Sequence, residues 1–485
     1  MKTIFLLFDS LNRRALSPYG CNWVKTPNFE RLSMHTVTYD NCYTASLPCM
    51  PARRDFQTGR LSFLHRSWGP MEPYDKSVTE LLSNSGVYTH LISDHIHYWE
   101  EGGSNYHTKY NSWEIVRGQE GDKWCPSLEK PDTTQLLGRK DEARAQDMVN
   151  RVRLKARSKY PIDELFEKAE RFLAENSQKD NWFLQVESFD PHEPFFAHQR
   201  FRDLYPHDYD GREFDWPDYC KVTESPAEVE HCRYEYAALV SACDEYLGKI
   251  LDIMDKEDMW KDTALIVTTD HGYLLGEHGW WAKTVQPIYN EIAHIPLFMW
   301  NPNTNKSNEH SSRLVQITDV APTLLPMYNI AVPTEMTGVG LDAPGGSKKE
   351  KRGCLFGIHG CFINVTDGRY VYMKKPLRQD GLYNYTLMPN HMKKAFSKEE
   401  INSMEIEPPL PFTNGYYQLK IPAKPWAGID FDGYEDMLFD LESDSGQLTP
   451  IKDAHVTEVM KALMVALMKE NDAPREAFAY WGLEE

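Results

Sequence analysis

At 485 residues the chain is longer than one hydrophobic core usually serves, which excludes a single small module and predicts one large domain with a smaller companion. Apolar residues at 41% and charged residues at 26% are ordinary globular values and exclude disordered and fibrous classes. Against 72 acidic side chains stand 53 basic ones, and the net charge of −19 repels phosphate backbones and anionic membrane surfaces. Neither nucleic acid nor membrane is therefore expected as a partner, and an anionic substrate would need a local pocket of cationic side chains or a metal ion.

The first ten residues, MKTIFLLFDS, hold one Lys and five apolar residues before Asp9. That run is too short for a signal-peptide core and reads as a first β-strand. No apolar run approaches the roughly 20 residues of a membrane span. Nine cysteines lie scattered at positions 21, 42, 49, 125, 220, 232, 243, 354 and 361 without a CxxC pair, which fits a reducing compartment and predicts a cytoplasmic location.

Short apolar runs then alternate with helical patterns through the first 330 residues, as in β-α-β units around a mostly parallel sheet. Strands are predicted at Thr3–Phe8, Val87–Ile92, Trp182–Glu187 and Ala264–Thr269, with a fifth at Ile295–Trp300. Thr26-Pro27 marks a helix start, and Ser77 with Glu80 forms a capping-box pattern closed by Gly86. Ser225-Pro226 opens the longest helix, whose positions Val229, Tyr236, Leu239, Val240, Cys243, Leu247, Ile250 and Met254 keep a helical period and belong to the core. Residues 100–160 break this rhythm and read as an insertion of unassigned fold. A Gly-, Pro- and Lys-rich stretch at Gly340–Lys351 marks a boundary, giving a catalytic domain over 1–345 and a C-terminal α+β unit over 346–485. In that unit Asp367-Gly368 predicts a hairpin, and Val456–Lys469 an amphipathic helix.

Sites in open α/β sheets form beyond the carboxyl ends of the strands. Asp9, Asp190-Pro191-His192 and Asp270-His271-Gly272 each follow a strand. Any one of these residues alone is more often a cap or a turn. Three coincident strand ends point to one crevice with carboxylates and imidazole suited to a divalent cation. A further candidate is Cys49, placed at the start of a short helix framed by Pro51 and Gly59, where free N–H groups favour an anion. A lone Cys in that position is more often a buried small residue.

Cys49-Met50-Pro51-Ala52-Arg53 with Thr58-Gly59-Arg60 resembles the Cys-x-Pro-x-Arg signature of the type I sulfatases, in the alkaline phosphatase superfamily. Thr26-Pro27-Asn28 with Glu30-Arg31-Leu32, Asp190 to Phe195, Asp270 to Lys283, and Leu438 to Leu441 with Asp444 are similar to further family blocks. Nearly the whole chain is covered, apart from 100–160 and about 375–435. The resemblance implies an alkaline phosphatase-like α/β fold with a smaller C-terminal subdomain. It also implies a sulfatase acting on a glycan-derived or small-molecule sulfate ester.

The same resemblance implies that a separate formylglycine-generating maturation enzyme oxidises Cys49 to formylglycine. One hydroxyl of the aldehyde hydrate then attacks sulfur, and the other collapses the adduct to release sulfate. By position, Asp9, Asp270, His271 and modified Cys49 would bind the cation, with Ca²⁺ the first expectation and Mn²⁺ or Zn²⁺ as alternatives. Arg53 would stabilise the nucleophile, and Lys283 and His192 would hold sulfate and assist the leaving oxygen. In Asp94-His95-Ile96-His97, His95 falls where many sulfatases place Lys, and His97 at the family's base.

Three departures bear on this. Ser10 follows Asp9 where many sulfatases have a second acid. His271 replaces the Asn of many animal enzymes and softens the site toward Mn²⁺ or Zn²⁺. His95 in place of Lys makes anion binding there depend on pH. The aromatics Trp99, Tyr106, Trp113 and Trp124 offer stacking faces beside His97, or a packed lid. His359 and Arg369 are weaker candidates for substrate contact. The alternatives to a sulfatase are a phosphonate monoester or phosphodiester hydrolase with the same site, and a non-catalytic binder of sulfated ligands if Cys49 stays unmodified.

Overall fold

A computed structural model describes residues 1–341 and 351–485. Its centre is an eight-stranded sheet of β1 (Lys2–Phe8), β2 (Val37–Tyr43), β3 (Tyr88–Ser93), β4 (Ser112–Ile115), β5 (Trp182–Ser188), β6 (Thr263–Thr268), β7 (Leu297–Trp300) and β8 (Glu309–Gln316), in the order β8-β2-β7-β6-β1-β5-β3-β4. All neighbours pair in parallel except at β7, which runs antiparallel to β2 and β6. The five strands predicted from apolar runs are all present, shifted by one or two residues at their ends.

Strand β1 is buried along its whole length because helices cover both faces of the sheet. Its side chains alternate between two cores. Phe5 and Leu7 join one with Phe56, Leu82 and Leu324, while Ile4, Leu6 and Phe8 join the other with Leu165, Phe166, Leu247 and Ile250. The second core is closed by the long helix α6 (Pro226–Lys256), whose start is the Ser225/Glu228 capping box. Asp244 of α6 accepts hydrogen bonds from the backbone N–H groups of Asn28 (3.1 Å) and Phe29 (2.8 Å) at the head of α1 (Pro27–His35). The Thr-Pro-Asn block is thus a docking joint between two helices. Thr26 does not cap α1; its hydroxyl accepts from the N–H of Ser17 instead.

The stretch over 100–160 contributes the edge strand β4 and helix α4 (Glu142–Arg157). The boundary expected at Gly340–Lys351, with its division at 345/346, lies largely outside the described residues. Beyond it, β9 (Cys354–Gly357), β10 (Ile363–Thr366), β11 (Tyr370–Lys374) and β12 (Met437–Asp440) form an antiparallel sheet whose β10–β11 hairpin turns at Asp367-Gly368. Met460, Met464 and Met468 of the C-terminal helix Ala454–Glu470 are buried in the first core with Val365 and Leu438. This sheet is joined to the main one where it matters for the site. Leu47 N–H donates to the carbonyl of Gly357 (3.0 Å), and Gly357 N–H to that of Ala45 (3.1 Å), just before Cys49.

Helix α2 (Cys49–Thr58) is buried at every residue and ends at Gly59, whose φ of 61° is left-handed. The carboxylate of Asp55 accepts from the N–H groups of Ser46 and Ser62, both at 2.8 Å, tying together the chain on either side of the helix. A Cβ on Gly59 would lie 3.2 Å from Met336, and its left-handed φ strains any L-side chain. Gly59→Ala is therefore expected to cost about 1–2 kcal/mol, read as a lowered midpoint in chemical denaturation. An unchanged midpoint would show that α2 is not held by its C-terminal turn.

Candidate active site

Four acids and bases arrive at the carboxyl edge of the sheet from separate strands. Asp9 follows β1, Asp270 and His271 follow β6, and Cys49 heads α2 after β2. Their potential ligand atoms all lie within 4.8 Å of one another, and all four residues are buried. Cys49 Sγ is 3.4 Å from His271 Nε2 and 4.0 Å from Asp9 Oδ1. The donor chemistry fits a divalent cation. His271 Nδ1 lies 2.9 Å from the carbonyl of Gly272, which fixes its proton there and leaves the Nε2 lone pair facing Cys49 and Asp270.

Arg53, one turn along α2, is 2% exposed and meets three buried carboxylates. Its Nη2 is 3.0 Å from Asp9, its Nη1 2.8 Å from Asp270, and its Nε 2.8 Å from Glu187; Nη1 also donates to the carbonyl of Cys49 (3.0 Å). Glu187 was not singled out by sequence. Its signal was an acid inside the apolar run of β5, and its second oxygen accepts from the hydroxyl of Tyr98 (2.7 Å). Ser10 holds a left-handed φ of 62°. Its hydroxyl donates to Asp9 (2.8 Å) and accepts from Lys283 Nζ (2.8 Å), so it links those two residues.

Cys49, His97, His192 and Lys283 line one cavity of about 1320 Å³. His97 Nδ1 pairs with Glu100 (2.8 Å). Arg53 is not in the lining. His95 is buried between the rings of His97 and Phe189 rather than in the lining, and neither of its ring nitrogens has a hydrogen-bond partner. Asp190 does not join the cation ligands. With Asp94 it accepts from the amide of Gln119 (3.1 and 3.0 Å), a residue of the insertion, because the strand-end loop turns its side chain away from Asp9.

None of Trp99, Tyr106, Trp113 and Trp124 lines the cavity. Tyr106 is core, and Trp124 packs against Arg153 and Arg157. The aromatic wall is instead Trp68 stacked on Trp426 (5.0 Å between ring centres), a pair brought together from residues far apart in sequence. His359 Nδ1 donates to the carbonyl of Phe63 (2.8 Å), and Arg369 pairs with Asp440 and Glu442 at the surface; neither lines the cavity.

Burial and the nearby charge of Asp270 push Asp9 up to about 8. Burial also opposes ionisation of Asp270, but His271, Arg53 and Lys283 outweigh it and hold that carboxyl below the usual range. Burial drives His271 down to about 3 and pushes the Cys49 thiol well above its ordinary value, with Asp9 adding to the latter. Burial works against the charge of Lys283 too, yet Glu193, Asp9 and Asp270 keep the ammonium's pKa raised.

The sulfatase family model matches residues 2–330. The chain belongs to the sulfatase family. It is a sulfuric ester hydrolase of alkaline phosphatase-like fold. It is 22% identical over 415 residues to an N-acetylglucosamine-6-O-sulfatase of Bacteroides thetaiotaomicron, covering 70% of this chain and 69% of that one. With a choline-sulfatase of Rhizobium meliloti it shares 25% over 369 residues, 68% of each chain. A solved structure in complex with D-glucosamine-2-N,6-O-disulfate has the same fold, with a TM-score of 0.65, 17% identity, and coverage of 98% of this chain and 99% of that one. So does a phosphonate monoester hydrolase of Agrobacterium radiobacter, with a TM-score of 0.66, 15% identity, and coverage of 97% and 95%.

The site makes two predictions. Arg53→Ala leaves three buried carboxylates without their shared cation, so it should cost about 3–5 kcal/mol of stability, measured by denaturant unfolding of the metal-free protein. A loss below 1 kcal/mol would show that Arg53 does not bear this charge balance. The second concerns pH. Below about 8 the metal-free protein carries a proton on Asp9, and a cation must displace it. Metal affinity measured calorimetrically should rise about tenfold per unit between pH 6 and 8 and then level, with about one proton released at pH 7. His271, down at about 3, adds no proton in that window, and the measurement uses Cys49→Ala because the raised thiol would release a second proton on ligating the cation. Binding independent of pH would show Asp9 already ionised.

Proposed function

We propose that this sulfatase hydrolyses sulfate esters of sugars, with residue 49 as formylglycine and one divalent cation held by Asp9, Asp270, His271 and residue 49. The observation that carries the reading is the position of Cys49. It sits at the head of α2 between the cation's donors and a cavity bearing Lys283, His192 and His97. A thiol pushed well up by burial stays protonated at neutral pH and is a poor nucleophile, which supports a modified residue there. The aldehyde hydrate supplies a hydroxyl nucleophile, and the cation supplies charge stabilisation for it and for the sulfate oxygens.

The chain's own residues do the rest. Arg53 fixes the carbonyl of residue 49 and both carboxylates of the cation site, so the nucleophile is held in one orientation. Lys283 brings a positive charge to the cavity for the sulfate group and a proton for the leaving oxygen. The stacked Trp68 and Trp426 offer an apolar face for a sugar ring. The cavity exceeds the roughly 300–1,000 Å³ of ordinary small-ligand pockets, which suits a ring larger than a small alkyl sulfate. The relative named for N-acetylglucosamine 6-sulfate and the fold neighbour solved with a glucosamine disulfate support the same class.

The donor set also bears on the ion. Ca²⁺ takes six to eight oxygen ligands, whereas two carboxylates with one imidazole suit Mn²⁺ better, and we assign Mn²⁺ ahead of Ca²⁺ and Zn²⁺. We also assign the protein to a reducing compartment such as the cytoplasm, on its nine free cysteines.

A side-by-side assay of a sugar 6-sulfate, 4-nitrophenyl sulfate, choline sulfate and an aryl phosphonate monoester tests the substrate class. The sugar sulfate is expected to give the highest kcat/KM among the esters of unactivated alcohols. A higher value for the phosphonate than for every sulfate would replace this reading with a phosphonate hydrolase. Cys49→Ala should abolish turnover with little change in the unfolding midpoint, and intact mass of the Cys49 peptide from the native host should show the aldehyde. Turnover retained by the variant, or a wholly unmodified peptide, would refute the mechanism.

A further inference from the structure

The loop that delivers His192 carries a second acid that no step above employs. Glu193 is fully buried. Its Oε1 accepts from the hydroxyl of Tyr219 (2.7 Å), a residue of the cavity wall. Its Oε2 accepts no hydrogen bond, yet lies 3.2 Å from His192 Nδ1 and 4.0 Å from Lys283 Nζ. Both of those groups line the cavity.

A buried, unpartnered carboxylate oxygen is costly unless it serves charges beside it. Here the two nearest are the groups on the leaving-group side. His192 Nδ1 donates to the carbonyl of Glu193 (2.6 Å), which leaves no proton on the opposite ring nitrogen of a neutral imidazole. Lys283 therefore holds the proton available to the substrate. Its Nζ spends one hydrogen on Ser10, and it has two carboxylates at 4.0 Å, Asp9 and Glu193. Asp9 also belongs to the cation site, so its charge is shared with the ion when the site is filled. Glu193 is then the one carboxylate of the pair left wholly to Lys283.

We propose that Glu193 is a positioning residue for sulfate-ester cleavage, orienting the Lys283 ammonium toward the leaving oxygen, with Tyr219 fixing its own position. This rests on the sulfatase reading above. As an oxygen of residue 49 bonds to sulfur and gives up its proton, the bond from sulfur to the ester oxygen breaks, its electron pair goes to that oxygen, and a proton from Lys283 neutralises it as the alcohol departs; the proton given up by residue 49 returns through water to Lys283. The contribution of a positioned acid grows with the basicity of the leaving oxygen. A nitrophenolate needs little help, and a sugar alkoxide needs much.

The test compares wild type, Glu193→Gln and Tyr219→Phe on a sugar 6-sulfate and on 4-nitrophenyl sulfate, with unfolding midpoints recorded for each protein. Glu193→Gln keeps the shape and removes the charge. It is expected to lower kcat on the sugar sulfate by about 100-fold while changing 4-nitrophenyl sulfate less than about 5-fold, since general acids contribute roughly 10²–10⁴. Tyr219→Phe should show the same bias at about 3–10-fold, and it decides the matter if Glu193→Gln does not fold. Equal losses on both esters, or no loss on the sugar sulfate, would overturn the proposal and leave Glu193 a packing residue. Wild type that cleaves neither ester would overturn the sulfatase reading, and this proposal with it.

Discussion

The site depends on one buried cation. Arg53 touches carboxylates from the ends of three adjacent strands, β6, β1 and β5, and the carbonyl of Cys49 in its own helix. Each acid alone at that depth would be expelled or neutralised, because burial penalises an isolated charge by several kcal/mol. A planar guanidinium can serve all three at once, since its N–H groups point outward in a fixed fork. Lys also has three N–H groups, but they share one nitrogen and lack the planar spread of the fork. The geometry of Cys49, Asp9, Asp270 and the sheet edge is thereby fixed by a single side chain.

Two cations, Arg53 and Lys283, stand against four carboxylates, Asp9, Asp270, Glu187 and Glu193, in this cluster. The excess is two negative charges, which a divalent cation would balance. The raised value of Asp9 expresses the same deficit, because in the absence of an ion a proton is the cheapest partial replacement. A protein with a net charge of −19 can in this way present a locally neutral or positive pocket to an anionic ester.

The cavity above the cluster is built by parts remote from the sheet. The β9 strand is bonded to residues 45–47, immediately before the nucleophile, so the C-terminal sheet is anchored by the segment whose chemistry it serves. Trp426 and residues 391–394 form walls that the first 330 residues do not provide. The cavity lining is therefore shared between the stretch that the family model covers and the part of the chain beyond it.

Much of this was legible in the sequence. Short continuous apolar runs located the five central strands, because strands covered on both faces have to be apolar nearly throughout. The acids after those strands, and Cys49 at a helix start, pointed to four residues that the fold brings together as a candidate cation site. Other features had no local signal. Glu187 and Glu193 are ordinary acids until packing shows Arg53 beside one and Lys283 beside the other. Asp190 looked like a ligand, but its loop aims it at Gln119 in a segment whose fold no periodicity revealed. Trp99, Tyr106, Trp113 and Trp124 read as either a stacking face or a packed lid and none lines the cavity, whereas the ring pair that does, Trp68 and Trp426, is separated by most of the chain. Sequence by itself determined which residues sit at strand ends and helix starts, since those follow from local periodicity and caps. Tertiary structure alone decided which charges meet and which rings face the cavity, since burial and direction depend on neighbours that are close in space and distant in the chain.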